Sequence, residues 1–153
     1  MRPSERLKSL GLTLPGVTAP VANYIPAARS GNLIYVSGQI PFESGQLRYT
    51  GKIGKDLTLE QGQAAAKLCG LNAVAIAADA AGGIDRIARI VRLAVFVAGA
   101  PGFTDQPKVA NGASDLMVAL FGDAGKHARA AVGAADLPLN AAVEVELIAE
   151  VAG

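Results

Sequence analysis

The chain has no tryptophan, one cysteine and one histidine, and aromatic residues make up only 5 % of its 153 positions. A lone cysteine excludes a disulfide within the chain. Cys69 and His127, far apart in sequence, make poor material for a zinc site or a Cys–His dyad. With so few aromatics the core must be built from Ala, Val, Leu and Ile, with Gly where backbones come close. Such a core stacks thin layers and leaves little volume for a deep internal pocket, so a ligand site is expected in a cleft between subunits. Neither sign of charge dominates: 14 Lys and Arg face 13 Asp and Glu. No basic run is interleaved with aromatics, and clustered cations supply most nucleic-acid affinity, so a nucleic-acid partner is not expected. No uninterrupted apolar run is long enough to span a bilayer, and the residues after Met1 are charged. Neither a membrane span nor a secretory signal is read, and a cytoplasmic protein is the expectation.

What is present points to one domain spanning 1–153, with 1–20 as an N-terminal extension carrying a short helix. A chain of this size buries roughly 68–70 % of its unfolded surface, and 51 % of the residues are apolar. Ser4 is a plausible cap for a helix over 4–10, ended by Gly11. Pro26 forces the residue before it into extended geometry, which makes 22–28 extended. Ser30-Gly31-Asn32 is a turn, and Leu33-Ile34-Tyr35-Val36-Ser37 a β-branched and aromatic strand. Thr58-Leu59-Glu60-Gln61 is a capping box that opens a helix running to about 81, ended by Gly82-Gly83. Ala64, Leu68, Leu71, Ala75 and Ala78 form its apolar stripe, with Cys69 a small buried filler. A strand over 87–97, a helix over 104–121 with Val109, Leu116 and Leu120 inward, and strands over 128–134 and 142–151 complete the chain. The glycines at Gly51 and Gly54 lack the strand-then-helix setting of a phosphate loop.

Two helices segregated from a largely antiparallel or mixed sheet define an α+β domain, both helices covering one face. Alternation in the last strand separates Val143, Val145, Leu147, Ala149 and Val151 from Glu144, Glu146, Ile148 and Glu150. The aliphatic set is assigned to the helices, and Arg129 and Glu144 are both assigned to the opposite, open face. If the last two strands form a simple hairpin around Leu137-Pro138, Arg129 pairs near Ile148 and stands apart from Glu144. A second segment or subunit must then complete any site built on either charge, which points to a closed oligomer. His127, in a Gly/Lys loop before a strand, is read as exposed and non-catalytic.

The chain resembles the RidA (YjgF/YER057c/UK114) family of reactive-intermediate deaminases. The likeness runs from Asn23 to Val151. It rests on Ser30-Gly31-Asn32-Leu33-Ile34-Tyr35-Val36-Ser37-Gly38-Gln39-Ile40-Pro41, on Ala128-Arg129-Ala130-Ala131-Val132, on Leu137-Pro138 and on Val143-Glu144-Val145-Glu146. The resemblance implies a chorismate-mutase-like α+β fold and a homotrimer whose sheets form a central barrel with three interface clefts. It implies hydrolysis of enamines or imines such as 2-aminoacrylate to 2-ketoacids and ammonia, as in a 2-iminobutanoate/2-iminopropanoate deaminase. By that likeness Arg129 binds the substrate carboxylate, Glu144 positions the water and carries a proton, and Tyr24, Gly38 and Asn111 line the cleft. No cofactor or metal is implied, because an imine carbon is already electrophilic. The chain departs from the family pattern in Asn23, where a Pro usually precedes the Tyr, and in Ala131, where a Cys is common. The spacing from Asn111 to Arg129 also differs from the commonest one. Read without the resemblance, Arg129 is an edge-strand cation, Glu144 a solvated carboxylate, Tyr24 a core-edge residue and Asn111 a polar helix position. Two other functions stay open: a non-catalytic trimer that binds a ketoacid or amino acid, and a ribonuclease or translation inhibitor.

Overall fold

A computed structural model describes residues 1–17, 23 and 25–153; Tyr24 lies outside them. The sheet is built from strands β1 (Ala27–Ser30), β2 (Leu33–Gln39), β5 (Ile87–Ala98), β6 (Ala128–Ala134) and β7 (Val143–Val151), in the order β1-β2-β7-β5-β6. Strands β3 (Phe42–Glu43) and β4 (Gln46–Leu47) form a separate small ribbon. Three α-helices, α1 (Pro3–Ser9), α2 (Leu59–Ala81) and α3 (Gln106–Phe121), and three short 3-10 turns complete the described elements. The pairings are antiparallel except β5 with β6, which is parallel and is bridged by α3 as a crossover. The last two strands do not form a simple hairpin, because β5 lies between β6 and β7.

Local chemistry sets the element ends. The Gln61 backbone N–H donates to Thr58 Oγ1 at 3.1 Å, and the Thr58 N–H to Gln61 Oε1 at 2.9 Å, so the capping box forms as expected. Gly82 ends α2 in the left-handed region, at φ 90°. Ser4 does not cap α1: Arg2 holds the cap position, and Glu5 Oε2 accepts from its N–H at 2.9 Å. The Ser4 hydroxyl and N–H instead donate to the Asp85 carboxylate at 2.6 and 2.8 Å, tying α1 to the turn before β5.

The core-facing side of α2 is made of small residues. Ala65, Ala66, Cys69, Ala73, Val74 and Ala77 are fully buried, whereas Ala64, Leu68 and Leu71 of the expected stripe are only half-buried. The helix is enclosed by the sheet on one side and α3 on another, so its buried arc is wider than one stripe. Close approach to α3 needs glycine: a Cβ on Gly112 would overlap the Gln63 carbonyl. Buried Asn72 donates from Nδ2 to the carbonyls of Phe42 at 3.0 Å and Ile40 at 3.3 Å, fastening the ribbon to α2. On the sheet, Val143, Val145, Leu147, Ala149 and Val151 are buried in the same core as Val109, Leu116 and Leu120 of α3. The assignment of β7's aliphatic face to the helices therefore holds.

Candidate active site

Arg129 and Glu144 are on opposite faces of the sheet. Residues in register across paired strands share a face. Arg129 is in register with Leu93, and Leu93 with buried Leu147, so Arg129 points to the helix side. Glu144 is in register with Phe96, which pairs with Val132, and these three face the open side. The expectation that both charges share the open face is wrong for Arg129. The β6 residues on that face are Ala128, Ala130, Val132 and Ala134, and Val132 is 47 % exposed there.

Arg129 is exposed, at the β6 edge of the sheet, and α3 supports it from beside the strand. Its Nη1 donates to Asn111 Oδ1 at 2.8 Å and to Ser114 Oγ at 3.1 Å. Among the described residues no carboxylate forms an ion pair with it. A guanidinium held by neutral acceptors keeps its full charge for an external anion. Asn111, expected in the cleft, is thus beside Arg129. Ala131 is half-buried on the same side, packed against the core.

Ser114 and His127 belong to this cluster and were not expected in it. His127 is half-buried, not exposed: Nε2 lies 2.9 Å from Ser114 Oγ and Nδ1 2.6 Å from the Gly125 carbonyl. Sequence spacing does carry the signal. Ser114 follows Asn111 by three, which puts both on one helix face, and His127 precedes Arg129 by two, which puts both on one side of an extended chain.

Gly38 and Glu144 form a second cluster on the other face. Gly38 falls in the irregularity of register between Val36 and Gln39, where β2 leaves its pairing with β7. The Glu144 carboxylate packs so closely on its Cα that a Cβ there would overlap it. Glu144 is half-buried, and burial first, then the neighbouring Glu146 carboxylate, push its pKa above the ordinary glutamate value. Burial pushes the Cys69 thiol far up as well, so this residue is an inert core filler, as expected.

Among the hollows on the surface of the described residues are two of note. One, of about 280 Å³, lies on the open face between Ile25, Ala28, Tyr35, Arg92 and Ile148. The other, of about 550 Å³, lies between the segment at Leu12, the ribbon at Arg48 and Tyr49, and Lys67, Leu68 and Leu71 of α2. Neither is lined by Arg129, Asn111 or Glu144.

Residues 4–151 match the family described as "YjgF/chorismate_mutase-like, putative endoribonuclease". Protein TCP17 of Trypanosoma cruzi is 47 % identical over 150 residues, which are 97 % of this chain and 94 % of that protein. The crystal structure of the protein Atu1372 from Agrobacterium tumefaciens is 48 % identical with a TM-score of 0.90, covering 97 % of this chain and 92 % of that one. A structure named "putative endoribonuclease" from Shewanella oneidensis MR-1 is 39 % identical with a TM-score of 0.94, covering 99 % of this chain and 100 % of that one. With its mixed sheet, its helices and these likenesses, the chain belongs to the YjgF/chorismate-mutase-like family and has its fold.

Proposed function

We propose that the protein hydrolyses reactive enamines and imines of small amino acids, such as 2-aminoacrylate, to 2-ketoacids and ammonia, at clefts between copies of the chain. The observation that carries this reading is Arg129: an exposed guanidinium, backed by Asn111 and Ser114, with no acidic partner among the described residues. A planar carboxylate is its natural ligand, each charge-assisted bond contributing roughly 1.5–3 kcal/mol.

In the reaction the enamine takes a proton on carbon and releases one from nitrogen to become the imine. Water adds to the imine carbon, nitrogen is protonated, and the tetrahedral adduct expels ammonia to leave the ketone. Glu144 fits the proton traffic, because burial raises its pKa above the ordinary glutamate value and so makes the carboxylate a stronger base for accepting and returning a proton. Backbone groups at Gly38, with no side chain to obstruct them, orient the water or the imine nitrogen.

The two clusters cannot meet within one protomer, since the sheet separates them. β6 is an edge strand, so a second copy whose open face abuts that edge would bring its own Glu144 and Gly38 to the first copy's Arg129 and Asn111. A closed homotrimer makes three equivalent sites this way. The apolar residues of the open face, Tyr35, Val132 and Ile25, are 45 %, 47 % and 56 % exposed in the single chain and are suited to such burial.

The test is ammonia and pyruvate release from freshly generated 2-aminoacrylate, with the mass in solution measured by ultracentrifugation. Release that Arg129→Ala abolishes, from an assembly of three chains, is the expected outcome. Unchanged release in the variant, or a solitary protomer, overturns the reading. Tight pyruvate binding without turnover would instead favour the non-catalytic binder. The family description favours one further reading, endoribonuclease activity; RNA cleavage by the purified protein that Arg129→Ala removes would support it.

A further inference from the structure

We infer that Ser114 and His127 are positioning residues that hold Arg129 so that it grips a carboxylate through its Nε and Nη2 edge. The inference rests on Arg129 as the carboxylate-binding residue and deepens it.

Nη1 of a guanidinium carries two hydrogens, and the two acceptors around it, Asn111 Oδ1 at 2.8 Å and Ser114 Oγ at 3.1 Å, use both. The end-on edge made by Nη1 and Nη2 is therefore closed to a bidentate anion. The side-on edge, made by Nε and Nη2, has no partner among the described residues. With its oxygen turned to Nη1, the Asn111 amide keeps both Nδ2 hydrogens for a ligand lying against that side.

The direction of each bond in the network follows from the one at its far end. The Gly125 carbonyl can only accept, so His127 Nδ1, 2.6 Å away, carries a hydrogen. In the neutral ring Nε2 is then a lone pair, and the Ser114 hydroxyl, 2.9 Å away, donates to it. That fixes the hydroxyl rotor and leaves the Ser114 oxygen lone pairs for Arg129 Nη1. The chain runs one way, Arg129 to Ser114 to His127 to the Gly125 carbonyl. It anchors the flexible arginine of an edge strand to α3 and to the turn after it. Gly125 is itself held tightly, since a Cβ there would overlap the Met117 carbonyl.

The test is pyruvate affinity, by titration calorimetry on the assembled protein, in Ser114→Ala, His127→Phe, His127→Gln and the double variant Ser114→Ala/His127→Phe. The first two are expected to weaken binding about 5- to 20-fold, because the guanidinium loses its fixed orientation. His127→Gln, whose amide oxygen can accept from the Ser114 hydroxyl, should recover most of the affinity. The double variant should be no weaker than Ser114→Ala, because both residues act through one chain of bonds. In nitrogen NMR spectra the neutral imidazole should carry its hydrogen on Nδ1, a readout that needs no substitution. Affinities within twofold of the parent, additive losses, or an Nε2–H tautomer each overturn the inference. A parent that binds pyruvate but releases no ammonia from 2-aminoacrylate defeats the deaminase reading and leaves this one standing. A parent that binds no pyruvate defeats both.

Discussion

The Glu144 carboxylate lies against the Cα of Gly38, so close that no side chain fits between them. β2 is irregular at this point, breaking its pairing with β7 between Val36 and Gln39, and the acid occupies the space so opened. A side chain at this position would have to displace the carboxylate.

Gly38→Ala should therefore cost only about 0.5–1.5 kcal/mol of stability, the penalty of turning the flexible Glu144 side chain out of its rotamer to admit a methyl. It should also displace the carboxylate and lower deaminase turnover at least tenfold. Gly38→Ala combined with Glu144→Ala should recover most of the lost stability. Denaturant melts of the four proteins in this cycle measure the coupling, and additive losses would show that the contact is not what excludes the methyl.

Because Glu144 has a raised pKa, the folded chain holds that proton more tightly than the unfolded chain does. Its contribution to stability is complete below the ordinary glutamate pKa and is lost as pH rises through the higher folded value. Glu144→Gln should abolish this part of the pH dependence and leave the variant at least as stable as the parent at neutral pH, while turnover falls on the order of 100-fold. In the parent, the acid limb of the rate profile should sit above the usual glutamate range. Thermal melts and rates measured across that range check both statements.

Arg129→Lys should not substitute for the arginine. An ammonium is a point charge; it cannot donate to Asn111 and Ser114 and still present two parallel donors to a carboxylate. We expect pyruvate affinity to fall by about 10- to 100-fold, close to the effect of Arg129→Ala. Calorimetry on both variants tests it, and a lysine that binds as well as arginine would refute the fork geometry.

Gly112→Ala should destabilise the domain by about 2 kcal/mol or more, since its Cβ would meet the Gln63 carbonyl, which belongs to the α2 backbone and cannot rotate away. The exposed Gly102, with nothing near the position of a Cβ, serves as the comparison; its positive φ of 82° makes alanine cost only about 1 kcal/mol there. Equal melting temperatures for the two variants would contradict the close packing of α2 on α3.

Local chemistry was enough to read α2 and β7. A capping box and a Gly-Gly stop bracket the helix, and strict alternation of Val, Leu and Ala with Glu marks the two faces of the strand. β6 offered no such guide: apart from Arg129, both of its faces carry only Ala, Val and Gly, and one exposed cation on an edge strand does not choose a face. The choice belongs to the parallel pairing of β6 with β5, imposed by the α3 crossover, and it turns Arg129 towards α3. The same crossover brings Ser114 to His127 and Arg129, residues that the sequence keeps 13 and 15 positions away. Sequence alone determined the long helices, the longer strands and the residue types able to hold an anion. Which face each charge takes, and which neighbours orient it, was decided by strand register and helix docking, because those depend on contacts between segments that no local pattern records.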